Sequence, residues 1–311
     1  MTETFSQDAN YLEAVQSVEK TLSDLRGCSD AERQHLIDDI AHLNEMYDKI
    51  STGRVEITIF GEISTGKSAM INALIGRAVA AVDVQGGWTK QIWGTTWDGT
   101  GYRLPGMESS EIVLIDTPGI NEVGGADRAE LAEVTARRSD LILFVTDSDL
   151  NETEYAALVE LAAVQKPIIL VFNKIDLYPD EEKKLLIEML QQRLDGLIPA
   201  EHFVTTVADP RDVEYVIEQP DGKEKVEWRK PEPQVDELKS LILETLEKEG
   251  LGLLALNAAM YAADKSDRIS ALRVSMRDNR ADQVIGRWPL PKRSSWRRTQ
   301  FRLLISLAVW Q

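Results

Sequence analysis

The chain of 311 residues has a single cysteine, Cys28, which excludes an intrachain disulfide and points to a reducing, cytosolic setting. Its three histidines, His35, His42 and His202, have no cysteine or carboxylate partners at metal-ligand spacing and are expected at the surface or a boundary. No run reaches the roughly 18 apolar residues of a bilayer span. The nearest, Leu251 to Ala263, is shorter and contains Asn257. The opening MTETFSQDAN lacks the charged and apolar regions of a secretory signal, so the chain is expected to be soluble and cytoplasmic, with membrane association left open. Basic residues are scarce, 35 against 52 acidic ones for a net charge of −17, and such a surface repels phosphate backbones unless its positive charge is segregated. What is present is 43% hydrophobic residues, enough for one or two packed cores and too many for a disordered chain.

The positive charge is segregated. From Arg287 onward there are six basic residues (Arg287, Lys292, Arg293, Arg297, Arg298, Arg302) and no acidic one, which leaves 29 basic against 52 acidic before it, a balance of −23.

Residues 8–50 read as a helical hairpin: Leu12, Val15, Val18, Leu22 and Leu25 recur at spacings of three and four, as do Leu36, Ile40, Leu43, Tyr47 and Ile50. The break falls at Gly27-Cys28, and Ser29 with Glu32 fits a capping box that starts the second helix. The apolar stripes suit either a brace packed on the next domain or a coiled-coil contact with a second copy or another helical partner.

After Gly53 the period changes. Strands are expected at Val55–Phe60, Glu111–Asp116, Leu141–Asp147, Ile168–Phe172 and His202–Thr206, alternating with helices near Ala69–Ile75, Ala129–Arg138, Glu152–Val164 and Asp180–Leu194. Continuous apolar runs such as Leu141–Val145 and Ile168–Phe172 indicate strands covered on both faces. The expected class is α/β, a mainly parallel, doubly wound sheet flanked by N- and C-terminal helices. A hairpin, Val213–Ile217 with Lys225–Trp228, precedes a helix from Val235 to Glu249 that Gly250 is expected to stop. Further helix follows to about Ile285, and Pro289 and Pro291 end it. The division expected is residues 1–52, helical hairpin; 53–250, nucleotide-binding domain; 251–287, helical segment; 288–311, basic tail.

Three loops carry chemistry. Gly61-Glu62-Ile63-Ser64-Thr65-Gly66-Lys67-Ser68 fits G-x-x-x-x-G-K-[ST] between a strand and a helix, the context in which this pattern is a phosphate-binding P-loop. Backbone N–H groups of Gly61, Ser64, Thr65, Gly66 and Ala69 would face the phosphates, Lys67 would reach the β and γ oxygens, and the Ser68 hydroxyl would hold Mg²⁺. Asp116-Thr117-Pro118-Gly119 follows a strand, placing the Asp116 carboxylate near the metal and the Gly119 N–H near the γ-phosphate. Loss of that phosphate would release Ile120 to Asp127, with Gly124-Gly125, as a switch. Asn173-Lys174-Ile175-Asp176 follows another strand. The Asp176 carboxylate accepts from guanine N1–H and the exocyclic amine, a donor pair that adenine lacks. A backbone N–H at Ala208 would meet guanine O6.

These motifs, in this order, resemble those of the translation-factor-related (TRAFAC) GTPases, and DTPG with NKID looks most like the Era and TrmE branch. The resemblance covers about residues 54 to 250 and implies GTP or GDP with Mg²⁺ as ligands and GTP hydrolysis as the activity. It also implies a threonine that contacts Mg²⁺ and the γ-phosphate. Gly87-Trp88-Thr89-Lys90 is similar to the branch's signature, so Thr89 is chosen, ahead of Thr95 and Thr96, which fit better in the next strand. The catalytic set is then Lys67, Thr89 and Gly119, and the metal set Ser68, Thr89 and Asp116. Ile120 stands where Ras-like enzymes carry the glutamine that orients the attacking water, which implies slow hydrolysis or, alternatively, an interaction module with negligible turnover. Ser64 stands where potassium-stimulated members have asparagine, Ile63 crowds the approach of an external arginine finger, and Val207 replaces the usual serine.

The C-terminal part is similar to a bacterial group of Era-like GTPases with an N-terminal helical hairpin and a C-terminal domain containing a motif like LNPIPVADL. That motif is missing here. The tail from Trp288, back-translated with ordinary codons and read in a shifted frame, gives ALAKAIIVAANPIPVADLAGGL, so the tail is expected to be a frameshift product, with a basic membrane-surface or nucleic-acid element as the rival reading. Peripheral membrane contact would belong to the missing native domain. No direct nucleic-acid partner is expected, because no basic RNA-binding domain follows and residues 1–286 are strongly acidic.

Overall fold

The computed structural model describes residues 2–26, 28–79, 93–98, 100, 103–104, 110–119, 135–218 and 224–287. Thr89, Ile120, the Gly124-Gly125 pair and the tail from Trp288 lie outside the described residues. The elements are α1 (Thr2–Arg26), α2 (Asp30–His35), α3 (Ile37–Thr52), β1 (Arg54–Phe60), α4 (Lys67–Ile75), β2 (Trp93–Thr96), β3 (Glu111–Asp116), β4 (Leu141–Thr146), α5 (Glu152–Ala162), β5 (Ile168–Phe172), α6 (Asp180–Leu194), β6 (Phe203–Thr205), β7 (Val213–Glu218), β8 (Glu224–Arg229) and α7 (Asp236–Arg287). They divide into two compact units, residues 1–15 with 48–258, and residues 16–47 with 259–311.

The first unit is built on a six-stranded sheet of order β2-β3-β1-β4-β5-β6. All neighbours are parallel except β2, which runs antiparallel to β3 at the edge and contains Thr95 and Thr96. Every residue of β4 and β5 is buried, as continuous apolar runs require when helices cover both faces. One face packs Phe60, Ile142, Phe144, Leu170 and Phe172 with Leu158 and Leu161 of α5 and Leu190 and Leu194 of α6. β7 and β8 form a separate antiparallel hairpin.

At the amino ends of the strands lies a buried polar cluster. Lys49 Nζ sits 2.8 Å from Asp140 Oδ2 and 3.3 Å from Glu56 Oε2. Asn257 donates to Asp140 Oδ1 at 2.8 Å and to the carbonyls of Arg138 and Ser139, and accepts from Lys166 Nζ at 2.6 Å. Burial raises the Glu56 carboxyl, but the charges of Lys49, Arg54 and Arg138 outweigh it and hold the group below its ordinary range. Burial pushes the Lys166 ammonium down to about 8.

In the second unit Val18, Leu25, Leu36 and Leu43 of the predicted stripes are buried. The Ser29–Glu32 capping box is present. Asp39, itself buried, pairs with Lys265 at 3.0 Å and Arg268 at 3.3 Å.

Two expectations are corrected. The second hairpin helix is interrupted at Leu36, where φ −112° and ψ 10° separate α2 from α3. Gly250 does not stop the last helix: α7 runs unbroken from Asp236 to Arg287. A glycine inside a helix costs about 1 kcal/mol relative to alanine. Burial of Leu251, Leu254, Ala255 and Ala258, at helical spacing just beyond it, outweighs that cost.

Candidate functional site

Parallel strands of a doubly wound sheet deliver their loops to one edge, and ligands bind outside the carboxyl ends. Here β1, β3, β4, β5 and β6 bring residues 61–66, 116–119, 147–150, 173–176 and 206–208 to that edge.

The turn from β1 into α4 holds Gly61, Ser64, Thr65 and Gly66, followed by Lys67, Ser68 and Ala69 in the first turn of the helix. Gly66 caps the helix at φ 97°, and a Cβ there would lie 2.4 Å from Asn173 Nδ2, so only glycine fits. Ser64 has φ 65° without being glycine, a strained conformation of the kind that clusters at ligand clamps. Lys67 Nζ, buried, donates to the carbonyls of Gly61 at 3.0 Å and Glu62 at 2.6 Å.

The Ser68 hydroxyl donates to Asp116 Oδ2 at 2.7 Å, joining the start of α4 to the end of β3. A hydroxyl and a buried carboxylate side by side are hard oxygen donors of the kind Mg²⁺ selects, so the donor set fits that ion. Gly119 lies close against Ile63: a Cβ on Gly119 would stand 2.7 Å from Ile63 Cγ1 and 3.0 Å from its backbone nitrogen. Ile63 thus sits directly over the Gly119 end of the loop.

Beyond β5, Asn173 is 1% exposed and spends its side chain on the protein. Nδ2 donates to the Thr65 carbonyl at 2.9 Å, and Oδ1 accepts from Thr206 Oγ1 at 3.1 Å and from the Ala208 N–H at 3.0 Å. Lys174, at φ 58°, donates to the Ser64 carbonyl and pairs with Asp147 at 2.7 Å. Asp176 lies in the short 3₁₀ turn Ile175–Leu177 with its side chain exposed. Close by, Glu154 accepts from Thr146 Oγ1 at 3.3 Å and from the Asn151 N–H at 3.1 Å, and burial raises its carboxyl above the ordinary range.

The structure therefore collects Gly61, Ser64, Thr65, Gly66, Lys67, Ser68, Ala69, Asp116, Gly119, Asn173, Lys174, Asp176 and Ala208 on adjoining loops at one edge of the sheet. Thr89 lies outside the described residues. Sequence reasoning missed Asp147 and Thr206. Asp147 had a signal, since it is the first charged residue after an apolar strand and so stands at the binding edge.

A strand, a glycine-rich turn and a helix, with two further loops beside it, have the arrangement of a P-loop nucleotide-binding domain of α/β fold. Residues 56–174 match the family described as 50S ribosome-binding GTPase. GTPase Era of Nitratidesulfovibrio vulgaris is 29% identical over 174 residues, covering 52% of this chain and 53% of Era. GTPase Der of Deinococcus deserti is 31% identical over 182 residues, covering 53% of this chain and 39% of Der. Among solved structures, Era of Aquifex aeolicus bound to GDP and aluminium fluoride is 23% identical with a TM-score of 0.44, covering 62% of this chain and 56% of that one. The matched part of the chain is thus similar to the GTPase domains of Era and Der. It spans about half the length of Era and less of Der. Among the described residues no helix is long and apolar enough to cross a membrane.

Proposed function

We propose that this protein is a guanine-nucleotide switch that binds GTP and GDP with Mg²⁺ and hydrolyses GTP to GDP and phosphate at a low intrinsic rate. The observation that carries the reading is the meeting of the phosphate loop, the Ser68–Asp116 pair and the Asn173–Asp176 turn at one edge of the sheet. Backbone N–H groups of Gly61, Ser64, Thr65, Gly66 and Ala69 would cradle the phosphates. Lys67 would bring its ammonium to the β and γ oxygens and stabilise charge on the transferred group. Ser68, Asp116 and Thr89 would hold Mg²⁺, which when bound neutralises phosphate charge. Gly119 would donate its N–H to the γ-phosphate, so that the nucleotide state is read by the loop that follows. Asp176 would accept from guanine N1–H and the exocyclic amine. For Ala208 to reach guanine O6, its N–H must leave or share the bond it gives Asn173 Oδ1.

The slow rate follows from Ile120, whose aliphatic side chain has no group to orient the attacking water. Single-turnover phosphate release from GTP by the full chain tests it. The expected rate is well below about one per second and is lost in Lys67→Ala. A rate at or above that value for the isolated monomer would sink the slow-switch reading.

A further inference from the structure

We infer that Asp147 is a positioning residue for guanine-nucleotide binding, acting through Lys174. This inference rests on the proposed guanine-nucleotide function and adds to it a residue outside the three motif loops.

β4 lies between β1 and β5, so its carboxyl end emerges between the phosphate loop and the Asn173–Asp176 turn. Asp147 is the first residue past that end. Its carboxylate stands 2.7 Å from Lys174 Nζ, which also donates to the Ser64 carbonyl. The Tyr178 hydroxyl donates to the Asp147 carbonyl at 2.6 Å and fixes the backbone that carries the carboxylate. Both partners are only about a third exposed, 30% for the Lys174 side chain and 31% for Asp147.

Ser64 and Lys174 both hold positive φ, at 65° and 58°, a conformation unfavourable for a side-chain-bearing residue that persists only where surroundings enforce it. The lysine joins them by its bond to Ser64, and Asp147 is the third corner that keeps the ammonium in place. Without the carboxylate, the long lysine side chain regains rotamer freedom. The base-recognition turn then loses its direct side-chain link to Ser64. Asp147 touches no reacting atom in this scheme; its effect passes through Lys174.

The test is a double-mutant cycle on the full chain, reading release of N-methylanthraniloyl-GDP by stopped flow. Asp147→Ala is expected to speed release about tenfold. Asp147→Asn, which keeps an acceptor for the ammonium, should recover part of that change. In a Lys174→Ala background, Asp147→Ala should add nearly nothing, whereas a merely structural role would act equally in both backgrounds. Release at the wild-type rate in Asp147→Ala, or full additivity with Lys174→Ala, overturns the inference while leaving the guanine-nucleotide reading intact. A wild-type chain that retains no labelled GDP overturns that reading, and the inference with it.

Discussion

Asn173 Nδ2 donates to the Thr65 carbonyl at 2.9 Å, so the side chain that opens the Asn173–Asp176 turn also holds the Gly61–Ser68 loop. The same amide receives bonds from Thr206 and Ala208, and one buried residue thus fastens three loops together. Asn173→Ala leaves the Thr206 hydroxyl and the Ala208 N–H without this acceptor and the Thr65 carbonyl without this donor. Each buried polar group so orphaned costs about 1–3 kcal/mol. Labelled-GDP affinity should fall at least about tenfold, and urea unfolding should show a loss of about 2–4 kcal/mol. Wild-type values for both would show that the three loops do not depend on this side chain.

Far from that edge, Asn257 on α7 is the hub of the buried cluster that holds Lys49, Asp140 and Lys166. Asn257→Leu keeps a similar volume but strips partners from a carboxylate, an ammonium and two carbonyls. The expected cost is about 2–4 kcal/mol by urea denaturation, with labelled-GDP release within about twofold of wild type in the folded protein. Faster release, with stability unchanged, would contradict a purely stabilising role.

Lys166 gives the cluster a pH signature. Burial lowers its folded value to about 8 from an ordinary 10.5. Below 8 it is protonated in both folded and unfolded chains, and this residue adds no slope. Between about 8 and 10.5 the unfolded chain retains a proton that the folded one has released, so stability rises with pH through that window. Urea unfolding of wild type and Lys166→Met should therefore diverge, the difference shifting in favour of wild type from pH 8 to 10.5. A difference constant over that range would place the Lys166 ammonium in a solvated environment.

The central strands and the motif loops were legible in the sequence for separate reasons. Ile168–Phe172 and most of Leu141–Asp147 are apolar without interruption, which only a strand covered on both faces explains, and both occur as expected. The phosphate loop was legible because its glycine and lysine spacing reflects backbone geometry at a strand-to-helix turn, and Gly66 has the positive φ and close contact that demand glycine. What escaped depends on contacts distant in sequence. Gly250 looks like a helix stop until the burial of Leu251, Leu254, Ala255 and Ala258 is known. The break at Leu36 has no glycine or proline to announce it. Nothing in local spacing joins Asp147 to Lys174, 27 positions on, or Asn257 to Asp140, 117 positions back.

Guanine selectivity set by Asp176 is the claim on which the functional account turns. Its most direct measurement is equilibrium competition between GDP and ADP for the full chain in the presence of Mg²⁺. The account predicts that GDP binds at least about 10³-fold more tightly, because a carboxylate that accepts two hydrogen bonds from guanine finds no donor pair on adenine. Comparable affinities for the two nucleotides would contradict it.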